Sequence, residues 1–104
     1  MKIRQAMQEF KTNGFRYRFI KRKGDVAMYE VLTKQGINTG FEVYRIRIVR
    51  VNHNSAFFRD TSWQEFDFYE KLPSNEDFGM YGWYFQSREY AEKRYEEMTN
   101  EEKS

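Results

Sequence analysis

The sequence predicts an α+β fold in which an antiparallel sheet of about four to five strands carries a short N-terminal helix and a C-terminal helix, in two layers. Three observations predict it. Several segments alternate aromatic and ionic residues with a period of two, which is typical of half-buried strands. Short turns join these segments and favour antiparallel pairing. Both ends of the chain instead carry apolar residues at helical spacing.

The composition supports a single compact domain over residues 1–104. Ten Phe, eight Tyr and two Trp supply the large rings for a core. The net charge is only +2, so the high charge that accompanies intrinsic disorder is missing.

The N-terminal helix is predicted over residues 2–11. Apolar side chains at Ile3, Ala6, Met7 and Phe10 follow the i, i+3, i+4, i+7 pattern of one helical face. The dipeptide Asn13-Gly14 then reads as a C-terminal stop, because glycine tolerates the left-handed conformation that ends many helices.

Strands are predicted next. Residues 15–20 alternate ring and arginine, residues 23–25 read as a turn, and residues 26–32 are rich in strand formers, so we expect a hairpin. A second turn leads into a strand over residues 41–51, with Tyr44, Ile46 and Ile48 on one face and Arg45 and Arg47 on the other. At about 3.3 Å per residue this strand would exceed roughly 30 Å, so a bend or bulge is expected.

The second half predicts a strand over residues 63–69 and a short strand over residues 82–85. Between them, residues 72–79 resemble a single capped helical turn with Ser74 as N-cap and Asp77 three residues on. Ser87 caps the last helix, whose core stripe is Ala91, Tyr95 and Met98.

Several chemistries lack the residues they need. With no cysteine there are no disulfides, zinc–thiolate sites or thiol nucleophiles. One histidine leaves no histidine metal cluster, so neither a metal nor another cofactor is expected. No apolar run approaches the ~20 residues that span a bilayer, so no membrane partner is expected. His53 lies in a polar loop without a recognisable nucleophile or orienting partner, so an enzyme using His53 and nearby acids is the weaker alternative.

The charges are strongly divided along the chain. Residues 1–51 carry 12 Lys and Arg against 4 Asp and Glu, whereas residues 52–104 carry 6 against 12, which gives net charges of +8 and −6. One interpretation is a nucleic-acid-binding sheet face made by four arginines: Arg16, Arg18, Arg45 and Arg47. The other is that an acidic C-terminal helix lies near the basic strands and neutralises them. Its acidic residues are Glu89, Glu92, Glu96 and Glu97.

The densest aromatic stretch covers residues 78–85. Trp83 and Phe85 fall on the same side of a strand, which favours the core for both. Tyr81 and Tyr84 are the candidates for contact with a partner protein, because tyrosine is enriched at binding hot spots.

Residues 23–30, 41–46, 72–79 and 82–85, together with the helix containing Ala91 and Tyr95, resemble small uncharacterised accessory proteins of tailed bacteriophages and related mobile elements. These motifs are turns and core rings, so the resemblance concerns a fold more than an activity and carries over no catalytic residue. It implies an accessory protein that works in the host cytoplasm.

We therefore expect a non-enzymatic, phage-type accessory protein that binds a host or phage macromolecule, protein rather than nucleic acid. The alternative is a nucleic-acid-binding protein that uses the arginine-rich sheet face. A minor virion component is a further alternative, and the sequence leaves the oligomeric state open.

Overall fold

A computed structural model describes residues 2–101 of the chain. Over these residues the chain forms eight strands, three short 3₁₀ turns and one α-helix. The strands are β1 (Ile3–Arg4), β2 (Glu9–Thr12), β3 (Phe15–Lys23), β4 (Val26–Thr33), β5 (Asn38–Arg45), β6 (Arg47–Arg50), β7 (Phe68–Lys71) and β8 (Gly82–Phe85). The helix is α1 (Arg88–Glu101), and the 3₁₀ turns are Ala56–Phe58, Thr61–Trp63 and Asn75–Asp77. The α+β class is confirmed.

The larger sheet has five antiparallel strands in the order β2-β3-β4-β5-β8. Helix α1 covers one face, and the predicted stripe of Ala91, Tyr95 and Met98 packs against Val26 and Val43. Ala91, Met98 and both valines are fully buried. The opposite face carries a second cluster that is mostly aromatic. The sheet therefore buries apolar side chains on both faces.

A smaller mixed sheet has the order β1-β7-β6, with β1 parallel and β6 antiparallel to β7. Its rings form a separate cluster in which Trp63 lies 4.9 Å from Phe58 and 5.2 Å from Tyr69, between ring centroids. The sequence predicts one sheet, whereas the described residues form two.

The predicted N-terminal helix is wrong, because residues 3–4 and 9–12 are strands. Asn13 and Gly14 adopt φ values of 52° and 82°, the two positive angles of a type I′ hairpin turn. They turn β2 back along β3 instead of ending a helix. Phe10 then stacks on Tyr17 with ring centroids 4.7 Å apart. The apolar residues have helical spacing, but the two-residue turn favours a hairpin because its twist matches that of the flanking strands.

The long strand predicted over residues 41–51 is interrupted at Ile46, and its two halves join different sheets. The backbone N–H of Ile46 donates to the Asp25 carbonyl at 2.7 Å, and Ile46 is buried. The break also changes the predicted faces: Tyr44 and Ile46 share one cluster, whereas Ile48 is 58% exposed.

The strand predicted over residues 63–69 is largely wrong. Asp60 caps a 3₁₀ turn over Thr61–Trp63 by accepting a hydrogen bond from the Ser62 N–H at 2.9 Å, and β7 begins only at Phe68. The capping box of Ser74 and Asp77 is confirmed, as are the hairpin of β3 with β4 and the short strand β8. Within the described residues, no helix is both long and apolar enough to cross a membrane.

Candidate functional site

Three of the four arginines predicted to bind nucleic acid are paired with carboxylates. Arg18 donates to Glu30, and Arg45 donates to Asp25 at 3.2 Å. Arg47 donates to an Asp77 oxygen at 2.8 Å, and its guanidinium carbon lies 4.1 Å from the Tyr81 ring centroid. Their charge is therefore largely balanced within the fold.

Two of these carboxylates, Glu30 and Asp77, have lowered pKa values, which favours their ionised forms. Burial opposes ionisation of Glu30, but hydrogen bonds from Asn38 and Arg18 outweigh it and lower the pKa of Glu30. The Ser74 backbone N–H lowers the pKa of Asp77, and Arg47 adds to that effect. These two pairs are therefore ionic over the physiological pH range.

The predicted arginines also do not form one patch. Arg16 pairs in register with Leu32 on β4, and Arg45 pairs with Val26 on the same strand. Six residues of strand separate those positions, or about 20 Å along the sheet at ~3.3 Å per residue. Arg16 and Arg45 thus lie toward opposite ends of the helix-bearing face.

The acidic helix contacts strand β3 through Glu92. Glu92 accepts hydrogen bonds from Lys21 on β3 and from Arg88 on its own helix. The Lys21 ammonium also lies 4.6 Å from the Tyr95 ring centroid. Glu97 pairs instead with Arg94, one turn away on α1. Neutralisation by the helix thus occurs at Lys21 and does not extend to Arg16.

The two tyrosines predicted to contact a partner are engaged by their own chain. Tyr81 is half-buried under Arg47. Tyr84 is 45% exposed on β8, an edge strand, and its hydroxyl donates to the Thr39 carbonyl at 2.7 Å. Their role in binding a partner stays a prediction.

His53 is exposed, and its Nε2 lies 3.2 Å from the Trp63 carbonyl oxygen. Two of the acids that could have worked with it are occupied elsewhere, because Glu70 pairs with Arg22 and Asp77 pairs with Arg47. The structure does not bring these carboxylates into an arrangement with the imidazole.

The fourth predicted arginine, Arg16, lies in a different setting at the tip of the β2–β3 hairpin. There a cavity of about 460 Å³ is lined by Lys11, Thr12, Gly14, Phe15, Arg16 and Lys34. We call this region the basic tip. It holds three cations and no acid, and Phe15 is 40% exposed beside them. Within the described part of the chain, no carboxylate pairs with Lys11, Arg16 or Lys34.

Hairpin pairing builds the basic tip. Lys11 and Arg16 are direct partners in the β2–β3 register, so their side chains leave the same face of the sheet. Lys34 follows β4, the next strand in the sheet. The sequence pattern predicts a binding role for Arg16 but not for Lys11 or Lys34. The signal that could have found Lys11 is Asn13-Gly14, a strong indicator of a hairpin when alternating segments flank it.

Comparisons with models of protein families, with curated proteins and with solved structures find no match to this chain.

Proposed function

We propose that the chain is a non-enzymatic binding protein that engages an acidic segment of another protein through its basic tip. One observation carries the proposal: three cations surround a cavity of about 460 Å³ without a carboxylate partner among the described residues. Several arginines elsewhere in the fold are paired with carboxylates, as in Arg18 with Glu30 and Arg47 with Asp77, whereas the tip clusters three cations around one cavity. Cations left without such partners are available to a ligand.

The size of the basic tip favours a protein partner over a nucleic acid. A nucleic-acid strand presents one phosphate about every 3.4 Å and is bound along an extended track of cations. The cations at the tip are local, and Arg45, toward the other end of the same face, donates to Asp25. Two or three clustered carboxylates match the tip, and Phe15, which also lines the cavity, is 40% exposed.

The resemblance described from the sequence supplies the proposed setting. An accessory protein of a tailed phage would meet its partner in the host cytoplasm, and the partner would be a host or a phage protein. The acidic segment it carries is the chemical feature that the basic tip would recognise.

The test is a binding titration with two labelled probes, a peptide of glutamates around one leucine and a mixed-sequence single-stranded oligonucleotide. We expect the peptide to bind. The triple variant K11A/R16A/K34A should lower the affinity for the peptide roughly tenfold, because it removes three exposed charge contacts. The matched control, R50A/R59A/K93A, removes the same charge at exposed positions elsewhere and should bind as the parent does.

Two results would count against the proposal. Tighter binding of the oligonucleotide than of the peptide would support nucleic-acid binding instead. Equal loss in the two triple variants would show that overall charge, and not the basic tip, attracts the peptide.

A further inference from the structure

A second cavity lies on the sheet face opposite α1, and it is lined by aromatic rings and by polar residues. It has a volume of about 310 Å³, and four rings line it: Phe10, Tyr17, Tyr44 and Phe78. Side chains alternate along β5, so Val43 faces α1 while Glu42 and Tyr44 face this cavity. The segment containing Pro73, Ser74 and Asn75 supplies another wall.

The acidic group in this cavity is Glu42, which is only 8% exposed. Its Oε1 accepts a hydrogen bond from the Tyr44 hydroxyl at 2.6 Å. Within the described residues, no donor reaches Oε2 and no cation pairs with the carboxyl group. Glu30 and Glu70, by contrast, each receive an arginine. Ionising a carboxyl group that is only 8% exposed and has no cationic partner is costly, and a cation in the adjoining cavity would lower that cost.

The electrostatics of the neighbouring groups agree with this geometry. Burial raises the pKa of Glu42, and the hydrogen bond from Tyr44 offsets only part of that rise. Burial likewise raises the pKa of Tyr17, and the negative charge of Glu42 adds to it. A positive charge that enters the cavity would stabilise the ionised carboxylate.

The walls also favour a cation. The face of an aromatic ring is negative, and rings that surround a carboxylate attract alkylammonium groups. Phe10 and Tyr17 are stacked with an interplanar angle of 4°, whereas Phe78 meets Tyr44 edge-on at 77°. These rings come from different segments and are fixed by mutual contact, so the cavity is largely preformed. An anion would be repelled by both the rings and Glu42.

We propose that this cavity binds an organic cation, an alkylammonium group held by the Glu42 carboxylate and by the surrounding rings. The group could belong to a small molecule of the choline type or to a methylated lysine of a protein. The proposal is independent of the basic tip, because the tip is proposed to bind negative charge and none of its three cations lines this cavity.

The experiment titrates the full chain with choline and with dimethylbutanol, in which carbon replaces the charged nitrogen, and follows chemical shifts by NMR. A trimethyllysine peptide and its unmodified counterpart form the second arm. We expect choline or the trimethyllysine peptide to bind at least roughly tenfold more tightly than the neutral isostere. The arm with the higher affinity identifies the source of the cation.

Two variants test the carboxylate and the rings separately. Glu42→Gln keeps the shape of the side chain and should abolish the preference for the cation over its isostere. Phe78→Leu keeps an apolar wall but removes the aromatic ring. It should lower the affinity for the cation roughly threefold. Glu9→Gln, an exposed change on β2, is the matched control and should leave the cation's affinity unchanged. The basic-tip variant K11A/R16A/K34A should also leave it unchanged, which separates failure of one proposal from failure of the other.

A pH series adds a readout that a purely structural Glu42 would not give. Because the ionised carboxylate binds the cation, affinity should rise with pH through the pKa of Glu42 and then level off. The proposal is wrong if the isostere binds as well as choline, if E42Q keeps the preference for the cation, or if neither arm shows saturable binding. Should E42Q fail to fold, the isostere comparison and Phe78→Leu still decide the matter.

Discussion

At the scale of single residues, Glu70 ties the two sheets together. It lies on β7, and its two oxygens accept hydrogen bonds from the Arg22 guanidinium on β3 at 2.8 and 2.6 Å. Oε1 also accepts from the Ala6 backbone N–H at 3.0 Å. The Glu70 side chain is only 7% exposed, so this bidentate pair is shielded from solvent. Such geometry makes it one of the stronger ion pairs that a small fold can contain.

Glu70→Gln should lower the free energy of unfolding by about 2 kcal/mol, because it weakens hydrogen bonds to a charged group and leaves Arg22 without its counterion. Urea denaturation at neutral pH measures the change. The control is Glu65→Gln, whose partner Lys2 is well exposed, and it should cost no more than about 0.5 kcal/mol. Equal effects would mean that Glu70 does not link the sheets.

The same residue sets a pH dependence with a defined sign. The hydrogen bonds from Arg22 hold the pKa of Glu70 below its ordinary value of 4.5. The unfolded chain therefore takes up a proton first, so the stability from this pair is present above pH 4.5 and is lost as the pH falls through the lowered pKa. The acid unfolding curve of E70Q should be flatter in that range than the parent curve. Matching slopes would contradict the assignment.

The pH dependence of stability that Glu42 contributes has the opposite sign to that of Glu70. Glu42 also shows what the sequence alone could not predict. Its raised pKa means that the folded state holds the proton longer, so its contribution decreases as the pH rises. In the sequence Glu42 is one acid in a strand. The cavity beside Glu42 forms only in the folded chain. Phe10, Tyr17 and Phe78, which are distant from Glu42 in the sequence, then line it together.

At the scale of elements, the β2–β3 hairpin depends on its two-residue turn. Gly14→Ala places a side chain at a φ of 82°, which costs about 1–2 kcal/mol of stability. The nearest atom to a Cβ at this position would be the Lys34 Cε at 3.8 Å, an ordinary van der Waals distance. The cost therefore arises from the backbone conformation and not from a clash. The variant should also lower the affinity for the acidic peptide, since the turn sets the register of Lys11 with Arg16.

Denaturation and the peptide titration measure these two effects together. Gln35→Ala, an exposed change near the next turn, should alter stability by no more than about 0.5 kcal/mol. A Gly14→Ala chain as stable as the parent would rule out the turn as the element that determines this hairpin.

Elements whose signals are local were predictable. The hairpin of β3 and β4, the capped turn after Ser74 and the stripe of α1 each follow from residues close in sequence. The predicted N-terminal helix is wrong because Asn13-Gly14 is compatible with both a helix end and a hairpin turn. Only the pairing of β2 with β3 distinguishes the two. Arg16 was named, but Lys11 and Lys34 join it through the fold of the chain.

Helix α1 should owe its position to the apolar stripe. Met98 is fully buried between the helix and the sheet, so Met98→Ala should destabilise the fold by about 2–4 kcal/mol through lost contacts and a cavity. Tyr90, which is 65% exposed on the same helix, gives the control, and Tyr90→Ala should change stability by about 0.5 kcal/mol or less. Thermal or urea unfolding distinguishes them, and comparable losses would mean that α1 is not anchored by this stripe.

At the scale of the whole molecule, folding largely cancels the charge asymmetry of the sequence. Ion pairs join the basic first half to the acidic second half. Among the described residues, three of these pairs are partly buried, namely Lys21 with Glu92, Arg22 with Glu70 and Arg47 with Asp77, and a fourth, Lys2 with Glu65, is well exposed. The opposed net charges thus serve to bring distant segments together. The cations of the basic tip differ in being clustered, because three of them line one cavity and no carboxylate of the described chain pairs with them.

This division predicts different responses to salt. Raising NaCl from about 0.1 M to 1 M shortens the Debye length from ~10 to ~3 Å and screens exposed charges far more than partly buried ones. The free energy of unfolding in urea should therefore change by no more than about 1 kcal/mol, since three of the cross-half pairs are partly buried and the exposed pair of Lys2 with Glu65 contributes little. Over the same range the acidic peptide should bind roughly tenfold more weakly, because its contacts at the tip are open to solvent. If stability fell in step with peptide affinity, the cross-half pairs would be as exposed as the tip, and the separation between structural and binding charges would not hold.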